Sequence, residues 1–179
     1  PYELSLACKL LDVVKYEKLD LLHVHYAIPH AYVAYLTKQM LAEEGVHIPV
    51  VTTLHGTDIT LVGKSPALIP AVNFSINHSN VVTAVSQHLR EETLNCFSIR
   101  KEIKVIPNFI DFDLHNYIFD KDLHMHYAPN REKIMIHISN FRPVKRVVDV
   151  IRVFVNVREK ISVKLLMVGD GPQREVAEY

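Results

Sequence analysis

An alternation of short apolar segments with amphipathic segments is the feature that most constrains the fold of this chain. Strands are predicted where apolar, β-branched residues cluster, at residues 21–25, 49–54, 81–85 and 103–106. Helices are predicted where apolar residues recur at helical spacing, at residues 2–18, up to Gly45, at 67–78 and after Ser86. Parallel strands need crossover connections, which helices supply. The alternation therefore predicts an α/β fold, whose parallel sheet carries helices on both faces.

A second alternation begins at the apolar segment IMIHI, residues 134–138, which is typical of a strand buried on both faces. A helical pattern follows from Val147 onward, and the turn between them contains Arg142 and Lys145. The amino end of a helix attracts anions through its free amide groups and its dipole. The two cations strengthen that attraction, so the turn is predicted to bind a diphosphate. The alternative is that both side chains are ordinary solvated charges.

Residues 112–131 are polar and lack periodic apolar positions, which favours a linker between two domains. We therefore expect residues 1–111 to form the carboxyl-terminal part of an amino-side domain. Residues 132–179 are then the start of a carboxyl-side domain. The first residues already have a helical pattern without a strand before them, so we expect the chain to be a piece of a longer protein.

Composition excludes several classes of partner. Twenty basic residues balance twenty acidic ones, which leaves no broad basic surface for nucleic acid. No apolar run reaches the length of about 20 residues that a membrane helix needs. The two cysteines, Cys8 and Cys96, have no pair spacing, as expected in a reducing cytoplasm. We expect a cytoplasmic protein without nucleic-acid or membrane partners, and the composition leaves homo-oligomerisation open.

Polar residues follow several of the predicted strands and are candidates for a ligand site. After residue 54 the chain reads His55-Gly56-Thr57-Asp58, in which Gly56 allows close approach to a ligand and the polar side chains can bond hydroxyls. An Asx-type turn that caps the next helix is the competing interpretation. Tyr26 follows its own strand at the same edge, where a solvated interfacial tyrosine is the alternative.

Two further candidates lie later in the same region. Asn108 follows the fourth predicted strand and faces a cleft in one interpretation, or forms a turn in the other. Ser86 is predicted to cap a helix, and Arg90 lies one turn inside that helix. Arg90 is a candidate for binding an acidic ligand, although an arginine beside Glu91 and Glu92 is more often solvated.

The eleven histidines are weak evidence for a metal site. His23 and His25 share one face of a predicted strand, and His124 and His126 do so if that stretch is extended. Neither pair has a third ligand nearby in sequence, so we expect no metal. The segment GDGP, residues 169–172, lacks the remaining spacing of a dinucleotide-binding fingerprint.

Four segments together resemble the retaining nucleotide-sugar glycosyltransferases, a family with two Rossmann-like parallel-sheet domains (GT-B type). They are HGTD at residues 55–58, VIPNFID at 105–111, SNFRPVKR at 139–146 and VGDGP at 168–172. The resemblance implies that both domains are incomplete here, because the glycine-rich loop of the family should precede Pro1 and its E-x7-E motif should follow Tyr179. Within the family, residues 21–30 and 51–58 most resemble members that transfer N-acetylglucosamine from UDP-N-acetylglucosamine to L-malate in bacillithiol biosynthesis.

The resemblance also implies roles for individual residues. The implied catalytic residues are Arg142, Lys145 and His55. The implied donor-binding residues are Asn108, Arg142, Lys145 and Gly171, and the implied acceptor-binding residues are Tyr26, Thr57 and Arg90. Transfer is expected to retain configuration without an obligatory metal or other cofactor. The alternatives are a hexosyltransferase that acts on a polysaccharide or glycolipid, and a non-catalytic nucleotide-binding module.

Overall fold

The computed structural model describes residues 2–60, 65–116 and 118–178. The chain divides into two compact units, Pro1–Ile110 and Asp111–Tyr179, which are called the first and second unit below. The division into an amino-side domain, a linker at residues 112–131 and a carboxyl-side domain stays a prediction. None of the described helices is both long and apolar enough to cross a membrane.

The first unit alternates helices and strands in the predicted order. Its helices are α1 (Tyr2–Glu17), α2 (Tyr32–Glu43), α3 (Thr57–Thr60), α4 (Ile69–His78) and α5 (Gln87–Cys96). Its strands are β1 (Leu22–His25), β2 (Val50–Leu54), β3 (Val81–Ala84) and β4 (Ile103–Val105). A kinked helical turn, Ala27–Ala31, leads into α2. The strands form one parallel sheet in the order β1-β2-β3-β4, which confirms the predicted α/β architecture.

The helices of the first unit pack against one face of the sheet. Two hydrophobic clusters lie on this face. One contains residues of α1 and α2, and the other contains residues of α4 and α5. Their strand residues all lie on the same face, as the pairing of Leu22 with Val50 and of Leu54 with Ala84 indicates. When strands follow one another in space as they do in sequence, right-handed crossovers put every connecting helix on the same side. The prediction of helices on both faces is therefore wrong for the described residues of the first unit.

The opposite face of the sheet carries polar side chains. It includes His23, His25, Thr53 and Thr83, which the pairing of the strands places on the same side. Thr53 Oγ1 lies 2.7 Å from Thr83 Oγ1 and 2.8 Å from His23 Nε2. A hydrogen-bonded row thus crosses three strands of this face.

The second unit contains α6 (Lys121–Tyr127), β5 (Lys133–Ile138), α7 (Val147–Arg158), β6 (Val163–Val168) and α8 (Arg174–Glu178). β5 and β6 form a parallel pair, and α7 packs against β6. The predicted burial of both faces of β5 is wrong, because Ile136 is 60% exposed and Ile138 is 69% exposed. Ile136 and Ile138 are two positions apart on the strand, so they share one face, and that face is exposed at both positions.

Helix α6 lies in the stretch that was predicted to be irregular. Asp120 caps it, since its carboxylate accepts the backbone N–H groups of Asp122 and Leu123 at 2.9 Å. No side chain of α6 is buried, so apolar periodicity was absent from the sequence. The stretch is helical, so His124 and His126 do not share a strand face. Residues two apart on a helix point in different directions.

Candidate active site

The loops that follow the strands of the first unit lie together because parallel strands end at a common edge of the sheet. Tyr26 follows β1, His55 follows β2 and Ser86 follows β3. Asn108 follows β4 and is exposed. We call this group of loops the first-unit edge. The sequence predicts this shared location for Tyr26 and His55, and the strand order agrees with it.

The carboxylate of Asp58 fastens two loops of the first-unit edge to each other. The side chain is buried, with 3% exposure. Its Oδ2 accepts the backbone N–H of Ala27 at 2.7 Å, and its Oδ1 accepts that of Gly56 at 3.1 Å. Hydrogen bonds from amide groups to a carboxylate are among the stronger ones in proteins. Asp58 therefore holds the loops of Tyr26 and His55 in a fixed relation, and both of its carboxylate oxygens accept backbone N–H groups of the protein.

His55 lies beside two rings, that of His25 at the end of β1 and that of Tyr26 in the loop that follows β1. Its ring centroid is 5.2 Å from that of Tyr26 and 4.9 Å from that of His25. His55 Nε2 lies 2.7 Å from His25 Nδ1, which is hydrogen-bonding distance. Burial and the neighbouring His25 lower the pKa of His55, and Asp58 opposes this shift. The lowered pKa favours a neutral ring, which has one donor and one acceptor.

The loop between His55 and α3 leaves room for a ligand. Gly56 has a φ angle of +119°, which favours glycine over other residues. Apart from Gly56 itself and its two chain neighbours, no described residue has an atom within 4 Å of the position that a Cβ would take at Gly56. Thr57 begins α3 with its side chain exposed. This open space agrees with the predicted close approach of a ligand, while the role of Thr57 in acceptor binding stays a prediction.

Arg90 is anchored to the backbone of the sheet. Its Nε donates to the carbonyl oxygen of Ile103 at 3.1 Å, and the residue is partly buried. Over the described ranges, no hydrogen bond or ring contact joins Arg90 to Tyr26 or Thr57. The structure thus does not bring the three predicted acceptor-binding residues into contact, and their shared role stays a prediction.

Within the part of the chain that the structure describes, no group of three or more His, Cys, Asp or Glu side chains is arranged to hold a metal ion. Of the histidines on β1, His23 bonds Thr53 and His25 bonds His55. Cys8 and Cys96 are exposed and form no disulfide bond with each other. The histidines of the first-unit edge are thus bound to protein side chains.

In the second unit, residues 139–146 connect β5 to α7, and we call them the cation turn. A 3₁₀ turn, Pro143–Lys145, follows Arg142, and both predicted phosphate ligands are exposed. Neither the Arg142 nor the Lys145 side chain has a hydrogen bond or ion pair with another described residue. Arg146 differs, since its Nε donates to Asp149 Oδ2 at 2.6 Å. The Arg146 side chain and its charge lower the pKa of Asp149, so this third cation, unlike Arg142 and Lys145, is paired within the described part of the protein.

Asp149 also lies in the first turn of α7, where a carboxylate interacts favourably with the helix dipole. The carboxylate of Asp149 therefore offsets part of the positive potential at the amino end of α7. An anion at the cation turn would interact chiefly with the side chains of Arg142 and Lys145. The prediction made from sequence assigned the helix end a larger contribution to anion binding, because it did not include the ion pair between Arg146 and Asp149.

Two glycines after β6 allow this loop to pack on the cation turn. A Cβ at Gly169 would lie 1.9 Å from the carbonyl oxygen of Ser139, and one at Gly171 would lie 2.8 Å from the backbone nitrogen of Phe141. The Phe141 N–H donates to the carbonyl of Asp170 at 2.8 Å, and the Phe141 side chain is buried. Packing within the second unit thus requires Gly171 to be glycine, and its predicted contact with a nucleotide stays a prediction.

Sequence reasoning missed His25, which bonds the candidate residue His55, and the bridging position of Asp58. In the sequence, His25 is noticeable only as half of a possible metal pair with His23. Its place at the last position of β1, on the face shared with Thr53, was the available signal. The contact between Asp58 and Ala27 joins residues 31 positions apart, so local spacing could not reveal it.

Comparisons with known proteins point to one family. Residues 1–114 match Glycosyltransferase Family 4. The chain is 50% identical over 177 residues to the N-acetyl-alpha-D-glucosaminyl L-malate synthase of Bacillus anthracis, covering 97% of this chain and 45% of that protein. It is 24% identical over 173 residues to the putative teichuronic acid biosynthesis glycosyltransferase TuaC of Bacillus subtilis, covering 94% and 43%.

A third relative is the uncharacterized glycosyltransferase MJ1607 of Methanocaldococcus jannaschii, 25% identical over 182 residues, with 95% of this chain and 45% of that protein covered. The chain spans less than half the length of these three relatives. Its parallel α/β sheets agree with the Rossmann-like GT-B architecture that the motifs predict. The family match extends over more than half of the residues, and the chain therefore belongs to glycosyltransferase family 4.

Proposed function

We propose that the full-length protein transfers N-acetylglucosamine from UDP-N-acetylglucosamine to the hydroxyl of L-malate, with retention of configuration. One observation carries this proposal, the 50% identity over 97% of the chain to a protein named as an N-acetyl-alpha-D-glucosaminyl L-malate synthase. The shared region includes both the first-unit edge and the cation turn. Such a protein works in the cytoplasm, where its nucleotide-sugar donor is found.

Arg142 and Lys145 are the proposed catalytic cations. Cleavage of the bond between sugar and nucleotide leaves negative charge on the β-phosphate while positive charge develops at the anomeric carbon. Cations that are already in place stabilise this transition state more than the ground state. The two side chains lack partners among the described residues, which supports their availability for a phosphate. Arg146, whose charge is matched by Asp149, is not assigned to the donor.

The first-unit edge is the proposed site for the sugar and the acceptor. His55 and Asn108 are assigned to the transferred sugar, and Tyr26, Thr57 and Arg90 to the carboxylates of malate. The short distance between the rings of Tyr26 and His55 supports a common site for these two residues. Arginine suits this acceptor because its guanidinium binds carboxylates in a bidentate manner.

The test is UDP release by the full-length protein supplied with UDP-N-acetylglucosamine, with and without L-malate. Succinate is the matched control, because it keeps both carboxylates of malate and lacks the hydroxyl that attacks. We expect UDP release that requires malate and does not occur with succinate. Equal release with malate, with succinate and without acceptor would overturn the acceptor assignment. Binding of UDP without any transfer would instead favour a nucleotide-binding module.

A further inference from the structure

The side chain of His25 contacts the candidate residue His55 directly. His25 Nδ1 lies 2.7 Å from His55 Nε2, and the ring planes are inclined by 50°. The backbone of His25 is also held, because its carbonyl oxygen accepts a hydrogen bond from His30 Nδ1 at 2.7 Å. The last residue of β1 and the first residue after β2 are thus joined through their imidazoles.

A hydrogen bond between two neutral imidazoles makes the proton positions of the two rings depend on each other. One ring donates an N–H and the other accepts with a bare nitrogen. If His25 donates from Nδ1, then His55 Nε2 is bare and the proton of His55 is on Nδ1. No other hydrogen bond of the described residues involves His55 Nδ1, so that N–H group would be available to a ligand.

We infer that His25 is a positioning residue that donates a hydrogen bond from its Nδ1–H to His55 Nε2, so that the single proton of neutral His55 is on Nδ1 and can be donated in a hydrogen bond to an oxygen of the transferred sugar. This inference rests on the proposed role of His55 in sugar binding. A sugar hydroxyl or ring oxygen accepts such a bond, and the opposite arrangement would present a bare nitrogen to it. His25 therefore sets the chemical character of His55 as well as its orientation.

The surroundings of His55 favour the neutral ring that this arrangement needs. The titratable groups that face it are His23 and His25 from β1, Tyr26 from the following loop and Asp58 from α3. Burial and the two histidines lower the pKa of His55, and Asp58 acts in the opposite direction. A neutral His55 has a single N–H to place, and its contact with His25 decides where it is placed.

His23 provides a matched control on the same strand and face. Its ring centroid is 4.8 Å from that of His25. Its Nε2 bonds Thr53 Oγ1 at 2.8 Å, so it belongs to the row of hydroxyls that crosses the sheet. Substitution of His23 therefore changes the neighbourhood of His25 without removing the bond between His25 and His55.

The direct test is NMR of the full-length protein labelled with ¹⁵N-histidine, in which the His55 signals are assigned with a His55→Asn variant. At neutral pH we expect a protonated Nδ1 and a bare Nε2 at His55. In His25→Leu we expect this preference to be lost, while His23→Leu should retain it. A proton on Nε2 of His55 in the unsubstituted protein would overturn the inference. This measurement needs neither donor nor acceptor, so its result stands whether or not malate proves to be the acceptor.

Kinetics give a second test in the same proteins. Loss of one hydrogen bond that orients a reacting partner corresponds to about a tenfold fall in kcat for His25→Leu. His25→Asn places an amide N–H at the position of Nδ1 and should restore kcat to within about threefold of the unsubstituted enzyme. His23→Leu should change kcat by less than about twofold. Equal impairment of His25→Asn and His25→Leu, at unchanged melting temperature, would contradict a role through the Nδ1 donor.

Discussion

The first-unit edge and the cation turn occupy equivalent places on their sheets and are built in opposite ways. At the first-unit edge, Asp58 and His55 are bonded to groups of neighbouring loops. At the cation turn, Arg142 and Lys145 project from a turn whose backbone is packed tightly, and among the described residues their side chains have no partner. The first arrangement fixes direction, as recognition of hydroxyls requires. The second keeps charge available, as binding of a phosphate requires.

Removal of the two cations that are unpaired among the described residues, Arg142 and Lys145, is the strongest test of this difference between the two sites. Arg142→Ala and Lys145→Ala in the full-length protein should each lower kcat by about 10²–10³, because one donor to the developing charge is lost. UDP release in the presence of L-malate measures the effect. Arg152→Ala is the control, since Arg152 is paired with Asp149 on α7 and should change turnover by less than about twofold. Turnover within threefold of the unsubstituted enzyme in both variants would remove the cation turn from the mechanism.

The rigidity of the backbone beneath the cation turn is tested by Gly169→Ala. The new Cβ would lie 1.9 Å from the Ser139 carbonyl oxygen, at a φ angle of +136°. We expect the free energy of unfolding in urea to fall by about 3 kcal/mol, from steric overlap and backbone strain together. Gly45→Ala is the control, because its φ angle is +78° and no described atom is within 4 Å, so it should cost only about 1 kcal/mol. Equal costs would show that the loop relaxes easily.

The fastening of the first-unit edge is tested by Asp58→Ala. Two backbone N–H groups would lose a buried acceptor, which should lower the free energy of unfolding by about 2 kcal/mol. Asp111→Ala is matched, because Asp111 also accepts two backbone N–H groups but is exposed. It should cost less than about 1 kcal/mol. A loss at Asp58 no larger than that at Asp111 would mean that the two loops are held by other contacts.

A smaller effect is expected at Ser86, which ends the loop after β3. Its Oγ accepts the N–H of Leu89 at 3.1 Å and so caps α5. Ser86→Ala should lower the free energy of unfolding by about 1 kcal/mol, and Ser86→Asn should restore most of it because asparagine is an equally good cap. Urea denaturation of the two variants measures the difference. Identical unfolding of Ser86→Ala and the unsubstituted protein would exclude this cap as a stabilising contact.

The smallest expected effect is the pH dependence that His55 contributes. Because folding lowers the pKa of His55, the unfolded chain takes up this proton first as the pH falls. The stability contribution is complete above about pH 6.5, the ordinary value for histidine, and declines as the pH falls toward the folded-state pKa. His55→Asn should therefore flatten the decline in stability between pH 7 and pH 5. An unchanged slope in urea denaturation at these pH values would contradict it.

The sequence could predict those parts of the fold that local patterns encode. β2 and β3 have apolar, β-branched segments, and Ser86 is a strong helix cap, so the strand positions and the cap are confirmed. The placement of helices on one face was not predictable in this way, because it depends on the spatial order of the strands. Helix α6 was missed because none of its side chains is buried.

The candidate site was predictable only as a set of positions. Parallel strands place their following loops at one edge, so Tyr26 and His55 could be assigned to the same region from their spacing. The hydrogen-bond partners of these side chains could not be predicted, because the contacts of Asp58 with Ala27 and of His25 with His55 join residues about 30 positions apart. The pairing of Arg146 with Asp149 is local, but helix geometry could not predict it, because Arg146 precedes α7 with a φ angle of +51°.

The row of His23, Thr53 and Thr83 has a consequence for the polar face of the first sheet. Faces of parallel sheets are ordinarily covered, and a hydroxyl under an apolar layer is costly unless it has a hydrogen-bond partner. The threonine hydroxyls here bond each other, and His23 closes one end of the row. Thr53 is 9% exposed and Thr83 is 5% exposed, so the row keeps both hydroxyls hydrogen-bonded where little water reaches them. A segment that packs over these threonines therefore has to match their shape and does not have to supply polar partners.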